Sequence, residues 1–315
     1  MHFRTHAAGF LAGAATLAVL TACSSTSAVS GTSDAPAMPE KLVFAQVPSE
    51  SAEGIAEDNE AIIKLIEQET GLEVEIQEAT DYAAVIEGLR AGQVHVAGLG
   101  PFSYMVAKDG GAGVVALGAL VDSPDEKPGY QSYGIVPAGS DITDLEGFKG
   151  KTVCFVDPTS TSGFLYPSAG LLELGIDPET DVTPVFAGGH DASALSVADG
   201  SCDAGFAYDA MVTSELIESG AMQEGELDVV WESEVIAGSP YVASDKLPAE
   251  LIEQLTDIFA NQLNVPALVE AGVCSSAEDC KLPEGSTFGF IAVEDSLYDG
   301  VRAVCEITEA PACKV

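Results

Sequence analysis

Two α/β lobes are the architecture this sequence predicts, and three observations predict it. Apolar runs of strand character alternate with helix-patterned stretches from Leu42 onward, which points to βαβ units and parallel pairing. What remains after the first 22 of the 315 residues is too long for one α/β layer set and comfortable for two. Extended stretches near Tyr133 to Pro137 and Ile236 to Val242 supply a crossing out and a crossing back. Lobe 1 is therefore expected over 41–135 and 239–315 and lobe 2 over 136–238, each a mostly parallel sheet flanked by helices.

The first 22 residues are expected to stand apart from the folded body. His2, Arg4 and His6 give a weakly basic start, and the small and apolar run Ala7 to Leu20 follows. Leu20–Thr21–Ala22–Cys23 then resembles the lipobox of bacterial lipoproteins, whose cysteine is lipidated. A plain signal peptide is the other reading, and the run is short for a membrane-spanning helix. Residues 23–40 are Ser, Thr, Ala, Gly and Pro with few large apolar side chains, the composition of a flexible tether. The expected place is the outer face of a cell membrane, reached through the N-terminal lipid only.

Cysteine usage agrees with export. Of seven cysteines, Cys23 belongs to the leader, leaving Cys154, Cys202, Cys274, Cys280, Cys305 and Cys313. An even set beyond the membrane predicts disulfides, and their spacing does not suit a thiolate metal site. Proximity alone favours Cys274–Cys280 and Cys305–Cys313, which leaves Cys154–Cys202. The charge balance is extreme, with 50 acidic against 12 basic residues and a formal net charge of −38. No basic patch can be assembled, so nucleic acid is not an expected partner. Acidic residues scatter as in Glu57–Asp58 and Glu224–Gly225–Glu226, a solvated surface, and no EF-hand calcium loop is present. Neither metal nor cofactor is expected. The general field repels anions, so any anion site must rely on local, dry, preorganised donors.

In the first lobe Leu42 to Val47 reads as a strand and Pro48–Ser49–Glu50–Ser51 as the loop leaving it. Asn59 to Gln68 carries Ala61, Ile62, Leu65 and Ile66 at helical spacing, Gly71 closes it, and Leu72 to Ile76 alternates as a strand. Asp81 is a natural N-cap for a helix over Tyr82 to Arg90, which puts Tyr82 at the carboxyl end of the sheet. Val94 to Leu99 is a third strand. Gly100–Pro101–Phe102–Ser103–Tyr104 opens a helix, where Tyr104 either meets a ligand or packs on the sheet. Val114 to Val121 is a fourth strand.

The second lobe centres on Asp157–Pro158–Thr159–Ser160–Thr161–Ser162–Gly163. It follows the buried strand Thr152 to Val156 and precedes a helix from Phe164 to Leu174. Hydroxyl residues at a helix start can serve as an ordinary N-cap or, with unpaired N–H groups and the helix dipole, as an oxyanion site that needs no Lys or Arg. A strand over Asp181 to Phe186 exits through Gly188–Gly189–His190–Asp191 into a helix from Ala194 to Ala198. His95 lies inside an apolar strand and reads as structural, whereas His190 stands at a strand exit and can donate one N–H in either protonation state. Asp203 to Ala207 is a short strand ending at Tyr208–Asp209. Asp209 is either an N-cap for Ala210 to Ile217 or a carboxylate facing a bound anion, where it would accept from a protonated ligand oxygen.

The ordered set Tyr82 with Val85, Leu89–Arg90–Ala91–Gly92, Gly100–Pro101–Phe102–Ser103–Tyr104, Asp157 to Gly163, His190–Asp191–Ala192–Ser193, Gly200, Asp203–Ala204 and Tyr208–Asp209 resembles the PhnD-like periplasmic binding proteins, over about residues 40–300. These serve ABC importers of phosphate, phosphite and phosphonates. The resemblance implies a type II periplasmic-binding-protein fold, a monomer, a small phosphorus oxyanion as ligand and an ABC permease as partner. It implies ligand contacts from Tyr82, Tyr104, Ser160, Thr161, Ser162, His190 and Asp209, with the Pro48–Ser49–Glu50 loop as an added candidate. Phosphite or a phosphonate leads and inorganic phosphate follows. Binders of aminoalkylphosphonates in this family tend to carry a further acidic residue in the second lobe, and Asp203 is the nearest candidate here. A Ser-dependent hydrolase is the reading from another class, since Ser160 or Ser162, His190 and Asp209 superficially offer a triad. The G-x-S-x-G elbow is missing, so no enzyme is expected.

The tail reads as first-lobe surface. Leu251, Ile252, Leu255, Ile258 and Phe259 repeat at helical spacing after Leu247–Pro248, and Phe288, Phe290, Ile291, Tyr298 and Val301 supply apolar packing.

Overall fold

A computed structural model describes residues 36–49 and 51–314. The leader, Cys23 and Glu50 lie outside the described residues. Two mixed sheets and a short ribbon organise the fold. The strands are β1 Lys41–Gln46, β2 Glu73–Ile76, β3 Val96–Gly98, β4 Val114–Val121, β5 Gly129–Tyr130, β6 Ser132–Pro137 and β7 Thr152–Phe155. They continue as β8 Thr183–Phe186, β9 Ala204–Tyr208, β10 Leu227–Glu232, β11 Ile236–Ala237, β12 Pro240–Ser244 and β13 Gly289–Ile291. The first sheet has the order β13-β4-β12-β3-β1-β2 and the second β10-β6-β9-β7-β8, while β5 and β11 pair as a ribbon.

Parallel pairing joins β1 to β2 and β3, and β7 to β8 and β9. These are the βαβ triplets that the alternating pattern predicts. The remaining pairs, β12 with β3 and β4, β13 with β4, and β6 with β9 and β10, are antiparallel. Both sheets are therefore mixed rather than mostly parallel. The reason is the route of the chain: strands that arrive after a crossing enter from the opposite end. Tyr133 to Pro137 already lies in β6 of the second sheet, so the chain leaves the first sheet earlier, through β5.

Local signals account for most element ends. Asp81 Oδ1 accepts from Ala84 N–H at 2.8 Å and caps the helix Tyr82–Ala91. Gly71 and Gly92 end their helices in the left-handed conformation, at φ 70 and 73. Three helices differ from the sequence expectation. Ser51 Oγ accepts from Gly54 N–H and starts a helix over Ala52–Asp58, a stretch between the expected loop and the expected helix that carries no assignment from the sequence. Helix begins at Thr161 with a π-type turn, Thr161–Leu165, before Tyr166–Glu173. It also begins at His190 rather than Ala194, so His190 occupies a first helical position.

One apolar cluster lies under β1, β4 and β12, where Tyr241, Phe259 and Phe290 meet edge to face or tilted. In the second sheet Phe155 stacks on Phe206 with ring centres 5.4 Å apart. Disulfides join Cys154 to Cys202, Cys274 to Cys280 and Cys305 to Cys313. The tail is not confined to the first sheet: the helix Asp299–Thr308 packs on both Pro101–Asp109 and Tyr166–Glu173.

Candidate anion-binding site

The carboxyl ends of β1, β3 and β9 and the helix starts after β7 and β8 converge on one cavity, the place where ligands bind in open α/β sheets. Space open to the centre of a water molecule amounts to about 50 Å³. From the first-sheet side the wall is Gln46, Ser49, Tyr82, Gly98 and Gly100; from the second it is Ser160, Thr161, Ser162, His190 and Tyr208. Tyr130, Ser239 and Tyr241 come from the crossing segments, and Pro283 and Glu284 from the tail. Among the described residues no Lys or Arg lines the cavity.

Its donors are neutral. Ser160, Thr161 and Ser162 are almost completely buried. Ser160 Oγ accepts from Gly163 N–H at 3.1 Å, so it acts as the helix cap. Thr161 Oγ1 accepts from Phe102 N–H at 2.9 Å, which leaves its own proton to donate. Thr161 and Ser162 open the helix, where backbone N–H groups have no intrahelical partner. Tyr82 interacts with Ser160, and Tyr130 with Thr161, Ser162 and Ser239. Burial raises both phenol pKa values well above the ordinary range, so both remain O–H donors.

His190 has a defined tautomer. Its Nδ1 accepts from Tyr208 N–H at 3.2 Å, so the ring proton sits on Nε2, which faces Ser160 Oγ at 3.4 Å. Burial pushes its pKa down to about 3, which keeps the imidazole neutral. Three hydrogen bonds tie the two sides of the cavity together: Phe102 N–H to Thr161 Oγ1, Ser103 Oγ–H to the Thr159 carbonyl, and His190 N–H to the Ser49 carbonyl at 2.7 Å. This is a closed arrangement with the donor wall in place.

Five of the residues singled out in the sequence, Tyr82, Ser160, Thr161, Ser162 and His190, meet here, together with Ser49 of the candidate loop. Two do not line the cavity. Tyr104 packs against Tyr298 with ring centres 4.7 Å apart and donates its hydroxyl to Asp295 Oδ1 at 2.9 Å. Asp209 turns its carboxylate to the backbone, accepting from Gln131 N–H and Ala210 N–H at 3.0 Å each. Asp203 likewise accepts from Thr152 N–H at 2.9 Å. Tyr130, Ser239 and Glu284 were not singled out. Only their place after crossing segments or after a cysteine pair could have flagged them.

The family of ABC-transporter phosphonate periplasmic substrate-binding proteins matches residues 44–264. The phosphate-import protein PhnD of Mycolicibacterium smegmatis is 42% identical over 322 residues, spanning 100% of both chains. The phosphonates-binding periplasmic protein of Escherichia coli is 30% identical over 230 residues, covering 71% of this chain and 67% of its own. A solved binding-protein component of an ABC phosphonate transporter from Pseudomonas aeruginosa shares a TM-score of 0.74 at 26% identity, over 88% of this chain and 87% of that one. PhnD1 of Prochlorococcus marinus, solved with methylphosphonate, shares the fold with a TM-score of 0.71 at 18% identity, over 86% and 99% of the two chains. These are substrate-binding components of transporters, not enzymes. The chain belongs to this family of ABC-transporter phosphonate periplasmic substrate-binding proteins.

Proposed function

We propose that the cavity takes one small tetrahedral phosphorus oxyanion and that the protein hands it to an ABC permease. The observation that carries this reading is convergence without a cation: Tyr82, Tyr130, Ser160, Thr161, Ser162 and the Nε2–H of His190 aim neutral donors at a space of about 50 Å³. At one water-sized group per ~10–15 Å³ that space suits a compact tetrahedral group and leaves little for a long substituent. Inorganic phosphate leads, supported by the name of the full-length relative; phosphite and methylphosphonate come next. This reverses the order that the sequence alone suggests.

The two sheets would act as lobes that part at the β5–β11 ribbon, breaking the three closing hydrogen bonds to release ligand. Export by the first 22 residues, lipid attachment at Cys23, a tether over 23–40 and a monomeric state complete the reading. Among the described residues no helix is long and apolar enough to cross a membrane. Calorimetric titration with phosphate, phosphite, methylphosphonate, 2-aminoethylphosphonate and sulfate tests the ligand assignment. Tight one-to-one binding of a phosphorus anion supports it, and no binding of any of them removes it. Cell fractionation of Cys23→Ala tests the anchor: release from the membrane is expected, and retention contradicts it.

A further inference from the structure

One carboxyl stands among the neutral donors. Glu284 lies in the turn Pro283–Gly285, a few residues beyond the Cys274–Cys280 disulfide. That turn packs on the helix Ala52–Asp58 and on the turn Met211–Glu215, and so touches elements attached to both sheets. Glu284 adopts φ 58, a left-handed conformation that residues with a side chain disfavour. Such a residue beside a cavity marks a constraint that the fold maintains for a reason. Glu284 is an exposed residue that nonetheless lines the cavity, and its side chain interacts with Ser239, near the hydroxyl of Tyr130. The charges that raise its pKa are of its own sign, Asp209 just after β9, Glu215 in the turn that follows and Asp122 after β4, with Asp58 facing Glu215; Glu126 and Lys127 share a surface groove with Glu284. Lys281, the nearby cation in sequence, is ion-paired with Glu57.

Resting on the phosphorus-oxyanion reading above, we propose that Glu284 selects the ligand by sharing one proton with it. A carboxylate and an oxyanion meet favourably only with a proton between them, because both are otherwise pure acceptors. A ligand with a P–OH group brings that proton and donates it to Glu284 in a hydrogen bond. A ligand with only bare oxygens, such as sulfate, needs the proton to reside on Glu284. Burial, Glu215 and Asp209 push the Glu284 pKa up to about 8, so the carboxyl is protonated at pH 6 and mostly ionised at pH 9. Glu215 is raised to about 7 and reinforces the change, whereas His190, Tyr82 and Tyr130 keep one protonation state across that range. Selectivity for phosphate over sulfate therefore grows with pH.

Calorimetry at pH 6 and pH 9 on the disulfide-intact protein tests this, with phosphate titrated directly and sulfate read by competition against it. Phosphate's own second ionisation falls between these pH values and shifts the phosphate-to-sulfate affinity ratio in any variant; in the wild type the ratio is expected to rise roughly three- to tenfold further, the lower figure allowing for solvent screening of an exposed residue. In Glu284→Gln, whose amide offers a donor at either pH, only the shift from phosphate's own ionisation should remain. Phosphate binding by that variant at pH 6 shows an intact cavity. A constant wild-type ratio, sulfate that fails to compete at pH 6, or an equal rise in Glu284→Gln overturns the proposal alone. Tighter binding of 2-aminoethylphosphonate than of phosphate also overturns it, assigning the carboxyl to an ammonium group. A wild type that binds no phosphorus anion overturns the oxyanion reading and this one with it.

Discussion

His190 performs two separable tasks, and two substitutions split them. Nδ1 supports the fold by accepting from buried Tyr208 N–H, and Nε2–H, beside Ser160 Oγ, is the donor that the proposed function offers to the ligand. Asparagine can reproduce the Nδ1 acceptor with its amide oxygen but does not reach the Nε2 position; glutamine reaches that position and forfeits the acceptor. A hydrogen bond to a charged ligand contributes ~1.5–3 kcal/mol, so His190→Asn should weaken anion affinity by about ten- to a hundredfold at nearly unchanged stability. His190→Gln should retain affinity within a few-fold and lose ~1–3 kcal/mol of stability from the orphaned N–H.

A pH signature follows from the same geometry. The folded pKa of about 3 lies below the unfolded value of ~6.5, so the unfolded chain binds the extra proton. Stability from this group is complete above pH 6.5 and is lost as pH falls towards 3. At pH 5 the loss is about 2 kcal/mol. Glu215 and Glu284, with raised pKa values, act in the opposite sense, but they cancel when the wild type is compared with His190→Asn. Urea unfolding at pH 5 and pH 7, with calorimetric affinities, reads all of these quantities. A wild-type affinity that titrates near pH 6.5 and ceases to do so in His190→Asn would refute the neutral-donor assignment.

Other expectations are equally direct. Thr161→Val removes the proposed ligand donor and the acceptor for Phe102 N–H; affinity should fall at least tenfold and stopped-flow dissociation should quicken, whereas Thr161→Ser should stay near wild type. Gly163→Ala would place a Cβ 2.3 Å from Val156 Cγ2 and 2.8 Å from Ser160 Oγ, displacing the cap; a stability loss of ~1–3 kcal/mol is expected in urea unfolding. Replacing the Cys154–Cys202 pair by serine frees a closure of 48 residues and should remove about 4 kcal/mol, against about 2.2 kcal/mol for the separation of 6 at Cys274–Cys280. Because the net charge is −38 and no cation lines the cavity, anion affinity should rise from low to moderate ionic strength; a fall would indicate a cationic site.

What the sequence discloses and what it withholds divides along the range of the signals. Tyr82, Ser160, Thr161, Ser162 and His190 are legible because each sits at or just beside the start of a helix in a βαβ unit, and that junction has a local pattern. The parallel triplets are legible for the same reason. Tyr104 shows the limit: its place in the first turn of a helix is readable, but the side that faces the ligand is set by Tyr298 and Asp295, almost 200 residues away. Asp209 is similar, since its carboxylate is claimed by the backbone of Gln131 across the sheet edge. Tyr130 and Ser239 enter through the paired crossing segments, and Glu284 through a turn with no periodic pattern at all. Such positions depend on tertiary pairing, as do the antiparallel strands β12 and β13.

The central claim is that neutral donors, without a cation, hold one phosphorus oxyanion in this cavity. Titration of the disulfide-intact wild type and of the double variant Thr161→Val, His190→Asn with phosphate tests it most directly. The expected result is one-to-one binding by the wild type, weakened at least a hundredfold in the double variant while both unfold cooperatively. Equal binding by the two proteins, or none by the wild type with phosphate, phosphite or methylphosphonate, would contradict it.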